Sequence, residues 1–261
     1  MSEQTLLDFG DVPVIGLARE YLPGPKEPHA HAQHAQIMYA VKGSMTVLTA
    51  EGIWVLPPQR ALWIPAGVSH TFQHSRPVSL RTVYVRRDAP NIPRWAHCSV
   101  LNVGTLVREL ILACAQLPST YPEDSREARL GVVLLDHLAL LEQDAFYLPE
   151  PTDKRAVRAA HLIKKNPNDT RPLKDIASEV GASARTLERL FSAQTGMGFG
   201  AWRQRLRMMV ALENLAAGET VSNTAAAIGY ESASSFIAVF RSVFGCSPAR
   251  YFDKRQDKAR E

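Results

Sequence analysis

The sequence predicts an α+β protein in two parts, strands toward the N-terminus and helices toward the C-terminus. Three observations carry this. Residues 12–86 fall into short apolar runs divided by turn residues, beyond residue 101 the apolar period changes to that of a helix, and residues 173–251 carry one helical pattern twice. The length of 261 residues has room for two ordinary cores. An apolar content of 46% against 21% charge predicts a soluble globular chain, and no run of about 18 apolar residues offers a membrane span.

The strands come first. "IMYAVKGSMTVLTAEGIWVLPP" reads as two apolar strands meeting at the Glu51-Gly52 turn, "RALWIPAGVSHTFQ" as a further pair around Ala66-Gly67, and "LRTVYVRR" as one more. Short strands at turn-rich intervals indicate a sandwich or barrel. Residues 101–149 then read as helical. Val103, Leu106, Val107, Leu110, Ile111, Cys114 and Leu117 make one amphipathic stripe, and Leu130, Val133, Leu134, His137, Leu138 and Leu141 a second. Such a helix pair serves either as a second core layer for the strands or as a dimer surface, and dimerisation is the expectation taken here. The expected parts are residues 1–100, 101–150 and 151–261.

Charge separates these parts. Residues 1–150 hold 12 Lys+Arg against 15 Asp+Glu, a balance of −3, whereas residues 151–261 hold 18 against 11, a balance of +7. A basic C-terminal part suits a polyanion. The repeat inside it is more specific. In "LKDIASEVG", Leu173, Ile176, Ala177 and Val180 line one helix face and Gly181 follows; in "VSNTAAAIG", Val221, Thr224, Ala225 and Ile228 repeat that spacing ahead of Gly229. Ser183 and Ser232 then stand where a second helix needs a cap. Leu187, Leu190 and Phe191 correspond to Phe236, Val239 and Phe240, and Gly196 to Gly245. Each copy reads as a helix-turn-helix, whose second helix fits a DNA major groove. Between the copies, Gly200 to Ala217 reads as one helix of roughly 27 Å, near the rise of about 34 Å that separates successive major-groove contacts. Its Arg203, Arg205 and Arg207 are either phosphate contacts or an ordinary solvated face.

The stretch "DIASEVGASARTLERLFSAQTGMGFGAWRQRLRMMVALENLAAGE", followed by "AAAIGYESASSFIAVFRSVFGCSPARYF", resembles the DNA-binding domain of AraC/XylS-type transcription regulators over about 100 residues. Pro248 and Tyr251 stand where that family's closing signature places them. The resemblance implies that Arg185, Glu188 and Arg189 read bases from the first recognition helix. Spacing agrees independently, since they lie opposite Leu187, Leu190 and Phe191. Arg pairs with guanine, and Glu accepts from cytosine. The matching positions of the second helix are Ala233, Ser234, Ser235 and Ala238. These small residues carry less base information, so the first copy is expected to supply most of the specificity.

"HAHAQHAQ…G" with "PAGVSH" resembles the two motifs of cupins, small jelly-roll barrels, at His29, His31, Gly43, Pro65, Gly67 and His70. Strand parity puts His29 and His31 on one side. The resemblance brings His70 across from a neighbouring strand and places Gln36 where cupins usually carry a glutamate ligand. His34 and His74 fall outside the motifs and are expected at the surface. Two readings stay open: three imidazoles holding Zn, Ni, Fe or Mn with Gln36 in support, or hydrogen-bonding groups lining a metal-free effector pocket.

The expected function is therefore a sequence-specific DNA-binding transcription regulator governed by a small molecule in the barrel. Double-stranded DNA, the effector, a second copy of the chain and RNA polymerase are its expected partners. The alternative is a metal-dependent cupin enzyme, an oxygenase or isomerase, with an accessory nucleic-acid-binding tail. "MSEQTLLDFGDVP" lacks the pattern of a secretory signal, and the scattered cysteines Cys98, Cys114 and Cys246 form neither a disulfide framework nor a zinc motif, so a reducing cytoplasm is expected.

Overall fold

A computed structural model describes residues 11–24, 26–57, 60–141, 143–144 and 147–252. The chain forms two compact units, Met1–Ala50 with Leu56–Phe146, and Glu51–Val55 with Tyr147–Glu261. In chain order the strands are β1 (Val14–Tyr21), β2 (His34–Lys42), β3 (Met45–Thr49), β4 (Gly52–Leu56), β5 (Arg60–Ile64), β6 (His70–Gln73), β7 (Val78–Arg86) and β8 (Ser99–Asn102). Helices α1 (Thr105–Cys114) and α2 (Arg126–Leu138) follow, then the two-residue strands β9 (Gln143–Asp144) and β10 (Leu148–Pro149).

One sheet runs β1-β7-β2-β5-β8-β9 with antiparallel neighbours. Alternate residues of its central strands, Ala35, Ile37, Tyr39, Val83 and Val85, share a core with Val107, Leu110 and Ile111 of α1 and Leu134, Leu135 and Leu138 of α2. Strand parity turns Gln36, Met38, Thr82 and Tyr84 to the opposite face, where they are buried too. Burial on both faces explains why β2 reads as a continuous apolar run instead of an alternating one.

Gly16 allows the end of α1 to approach β1, because a Cβ there would stand 2.2 Å from the Cys114 carbonyl oxygen. Tyr121 clamps the start of β1: its hydroxyl donates to the Val14 carbonyl at 2.7 Å and accepts from the Val14 amide at 3.2 Å. The helical stripes thus form a core layer of this unit. They leave Leu106, Val132 and Val133 exposed.

Three expectations change. The apolar run from Ile37 to Ala50 is two strands, since Gly43 turns the chain at φ +82° and a Cβ there would stand 2.8 Å from the Pro77 carbonyl oxygen. The pair around Ala66-Gly67 does not form a hairpin: β5 joins β2 and β8, while β6 pairs with β3. The helical reading of residues 101–149 fails at both ends, where 101–102 finish strand β8 and 143–144 and 148–149 are the short strands β9 and β10.

The second unit holds α3 (Lys154–Lys165), α4 (Leu173–Glu179), α5 (Ala184–Thr195), α6 (Phe199–Ala216), α7 (Val221–Ala227), α8 (Ala233–Phe244) and α9 (Pro248–Tyr251), with β10 paired to β4. Phe191 meets Phe199 and Trp202 edge-on at 5.1 and 5.3 Å, anchoring α5 to α6, and the Trp202 indole donates to the Pro149 carbonyl at 2.8 Å. In the second copy Phe240 contacts Phe236 and Tyr251 at 5.7 and 5.6 Å.

Thr224 occupies the position that Ile176 fills in the first copy, and both are fully buried. Its hydroxyl has no hydrogen-bond partner among the described residues. A buried unsatisfied hydroxyl costs on the order of 1–3 kcal/mol. Thr224→Val, nearly the same volume without that oxygen, is expected to raise the melting temperature of the helical unit, measured by scanning calorimetry on the whole chain.

Candidate nucleic-acid interface and histidine centre

The two helix-turn-helix copies agree down to their hydrogen bonds. Gly181 and Gly229 adopt φ +73° and +79°, the left-handed region that glycine enters at least cost. Just past them the Ala182 amide donates back to Ala177 at 2.8 Å and the Tyr230 amide to Ala225 at 2.9 Å. The first bond satisfies a carbonyl at the end of its helix, and the second adds to the one that Ala225 already accepts from the Ile228 amide at 3.3 Å. Ser183 then accepts from the Thr186 amide and Ser232 from the Ser235 amide, both at 3.1 Å, starting α5 and α8. Both recognition helices end in a left-handed glycine, Gly196 and Gly245. The copies differ by one residue in the turn, Gly181 to Ser183 against Gly229 to Ser232.

Arg185, Glu188 and Arg189 lie exposed on α5, opposite the buried Leu187 and Phe191. On α8, Ser234, Ser235 and Ala238 are exposed and Ala233 is half-buried, while the Ser235 hydroxyl donates back to the Ser232 carbonyl at 2.9 Å. Glu188 has a second employment that its sequence position hides. Helix α6 begins at Gly198, which has no side chain to cap it, and the Glu188 carboxylate accepts from the Phe199 amide at 3.3 Å. A carboxylate also suits the positive end of the helix dipole.

The three arginines of α6 are internal straps. Arg203 donates to the Arg171 carbonyl at 2.8 Å, Arg205 to that of Tyr147 at 3.2 Å, and Arg207 to those of Pro167 and Asp169 at 2.9 and 3.0 Å. These donors hold the loop ahead of α4 and the segment entering α3, an engagement that neither reading of the three arginines included. Within that loop the buried Asp169 carboxylate takes the Arg171 guanidinium at 2.6 Å, which holds its pKa below the usual carboxylate range.

In the first unit the histidines converge. His29 and His70 exchange backbone hydrogen bonds of 2.9 and 2.8 Å, so their side chains leave the same side of the pair. His31, two residues on, anchors the Pro65–Gly67 turn by accepting from the Gly67 amide at 3.0 Å. Ring centroids lie 5.1 Å apart for His29–His31, 4.4 Å for His29–His70 and 5.8 Å for His31–His70, and one ligand atom from each side chain falls within 4.8 Å of the others. Burial, the largest cause, brings the His31 pKa down to about 3 and keeps the ring neutral. The donor set fits a divalent transition ion, which binds neutral imidazole.

Gln36 is buried, with a side-chain oxygen that accepts no hydrogen bond among the described residues. It sits directly across from Tyr84, whose ring meets that of His31 edge-on at 4.9 Å. Sequence reading passed over Tyr84; the alternation of β7 opposite β2 was the signal available. His34 and His74 are buried, contrary to expectation. His74 stacks on Phe72 with ring planes 19° apart, and burial lowers the His34 pKa.

Residues 176–254 match the model of a helix-turn-helix domain, and residues 15–139 that of an AraC-like ligand-binding domain. The chain is 33% identical over 223 residues to the HTH-type transcriptional regulator NimR of Escherichia coli K12, spanning 85% of this chain and 81% of that protein. It belongs to the AraC-type transcriptional regulators. RipA of Corynebacterium glutamicum is 38% identical over 104 residues, 40% of this chain and 31% of that protein. Among solved structures, ToxT of Vibrio cholerae with bound unsaturated fatty acid matches at 14% identity and a TM-score of 0.38, over 94% of this chain and 96% of that one. This AraC-type regulator therefore joins a ligand-binding domain to a DNA-binding domain with two helix-turn-helix copies.

The contact of Glu188 with the Phe199 amide predicts a split between substitutions. Glu188→Gln keeps an acceptor for the Phe199 amide and should hold the melting temperature, whereas Glu188→Ala should lose about 1 kcal/mol as a lost cap does. Thermal denaturation distinguishes this from a base-reading role alone, which would leave both variants as stable as the parent.

Proposed function

We propose that this regulator is a cytoplasmic homodimer in which an effector held by the N-terminal unit alters DNA binding by the C-terminal one. Arg185 and Arg189 read bases from α5, with Glu188 shared between base contact and helix cap. Ala233, Ser234, Ser235 and Ala238 mainly set position. The observation that supports this most is the duplicated turn and cap, which leaves two short helices with their small and basic faces exposed. The exposed Leu106, Val132 and Val133 of α1 and α2 favour pairing with a second copy, which would place two readers on two half-sites. RNA polymerase is the further partner that a promoter-bound regulator addresses. A sensor, not a catalyst, is the reading taken for the histidine unit: its relatives are regulators, and a switch needs only a difference in affinity between two states.

Binding of the full chain to its own upstream DNA, followed by fluorescence anisotropy across a salt series, tests the reading. Affinity should fall linearly on a log–log plot as counterions are released. Arg189→Ala should cost roughly 1–3 kcal/mol at the specific site and relax selectivity there, with Ser234→Ala doing less. A salt-independent affinity, or the opposite ranking of the two variants, contradicts it. Sedimentation at micromolar concentration should give the mass of a dimer, and Val133→Glu should shift it toward the monomer.

A further inference from the structure

We propose that His29, His31 and His70 hold one borderline divalent transition-metal ion, and that the ion in turn binds the effector through an anionic donor atom. This rests on the reading above that the N-terminal unit receives an effector, and it names the chemistry of that site.

The backbone argues for a metal. A carbonyl oxygen only accepts, and the Glu27 carbonyl lies 3.1 Å from His29 Nδ1 while the Val68 carbonyl lies 3.0 Å from His70 Nδ1. Both rings are thereby set as Nδ1–H tautomers, with the lone pair on Nε2. The same local device, a ring turned onto the carbonyl two residues earlier, operates on two separate segments. Such carbonyl partners orient metal-ligating imidazoles and raise their basicity. The three ring planes meet at 75°, 58° and 49°, as rings do when they converge on a point instead of stacking.

Donor chemistry selects the ion. Three imidazole nitrogens suit Zn(II), Ni(II) or Co(II) and disfavour Mg(II) and Ca(II), which want oxygen. The same chemistry points to an anion. Among the described residues the cluster consists of histidines alone, with no carboxylate grouped with them. Gln36, on the face shared with Tyr84, adds an amide, which carries no charge. An ion held only by neutral donors keeps both positive charges in a buried setting, where an unbalanced charge is costly. An anionic ligand in a remaining coordination position supplies the balance.

The test uses the full chain, stripped with chelator and reloaded with Co(II), with azide as the anion probe. One Co(II) per chain, visible ligand-field absorption and a raised melting temperature are expected, and azide should shift the spectrum. His31→Ala and His70→Ala should abolish stoichiometric uptake. Gln36→Glu, which puts a carboxylate across from Tyr84, the residue whose ring meets His31, should tighten metal binding on the order of tenfold. It should also make the chain less stable in chelator than the parent, and it should suppress the azide response.

Sub-stoichiometric metal in the parent, or uptake unchanged in both histidine variants, overturns the metal site. Full uptake with no azide response, or an azide response that Gln36→Glu leaves intact, overturns the anion assignment. DNA affinity measured in chelator separates these failures from that of the regulator reading, because a salt-dependent interaction with upstream DNA stands on α5 and α8 whether or not metal binds.

Discussion

Everything that the C-terminal unit can do on DNA depends on a left-handed glycine between two short helices. Gly181 and Gly229 reverse the chain in a conformation that a side chain would strain, and the Ala182 and Tyr230 amides then close back onto the helix just ended. Without that reversal Ser183 and Ser232 would not reach the positions from which they cap α5 and α8. The second turn is constrained from outside as well. A Cβ on Gly229 would stand 2.8 Å from the Asn168 carbonyl oxygen and 3.0 Å from the Arg207 guanidinium. The loop ahead of the first copy therefore packs on the turn of the second, and Arg207 straps that loop to α6. This packing, together with α6, joins the two copies.

Many basic side chains of residues 151–261 also have partners within the fold. Arg155 is turned onto Asp153, Lys164 onto Glu150, and Arg171 onto Asp169 and Glu179. Arg203, Arg205 and Arg207 are committed to main-chain carbonyls. Acids within residues 151–261 already cancel in that segment's balance of +7, so these contacts fix where the basic side chains lie and leave the formal excess unchanged. What faces outward from the first reading helix is a pair of arginines, Arg185 and Arg189, one helical turn apart on the side away from Leu187 and Phe191. The outward residues of the second such helix, Ser234, Ser235 and Ala238, are small and uncharged.

The helices were readable because their pattern is local. The spacing of Leu173, Ile176, Ala177 and Val180, then Gly181 and Ser183, refers only to neighbours within two turns, and α4 and α5 follow it. Strands were readable as strands but not by partner. Nothing in "RALWIPAGVSHTFQ" states that β5 and β6 belong to different pairings, because partners are chosen by distant residues such as Tyr39 and Val47. The internal contacts of Glu188 and the α6 arginines were not legible for a related reason. Exposure and charge are visible in a helical pattern, whereas an engagement with the Phe199 amide or the Pro167 carbonyl is made by chain folding back from elsewhere. His34 and His74 looked superficial because no motif claimed them, yet His34 opens β2, a strand buried on both faces, and His74, just past β6, stacks on Phe72.

The histidine centre shows the same division between local and non-local causes. Parity suggests that His29 and His31 share a side, although in the structure His29 makes an isolated bridge and the first strand after it, β2, begins at His34. The tautomer of each ring is settled by a carbonyl two residues away, which is also local once the backbone is known. Convergence is not local. It requires the reciprocal bonds between His29 and His70 and the Gly67 amide on the His31 carbonyl, contacts across about 40 residues of chain. A metal-binding motif written in sequence is therefore only half of a site, the half that states which atoms are available. The fold contributes the other half by bringing neutral lone pairs together where water is scarce. In such a place the missing carboxylate matters more than the histidines present, because it decides whether the ion arrives already balanced or still requires an anion from solution.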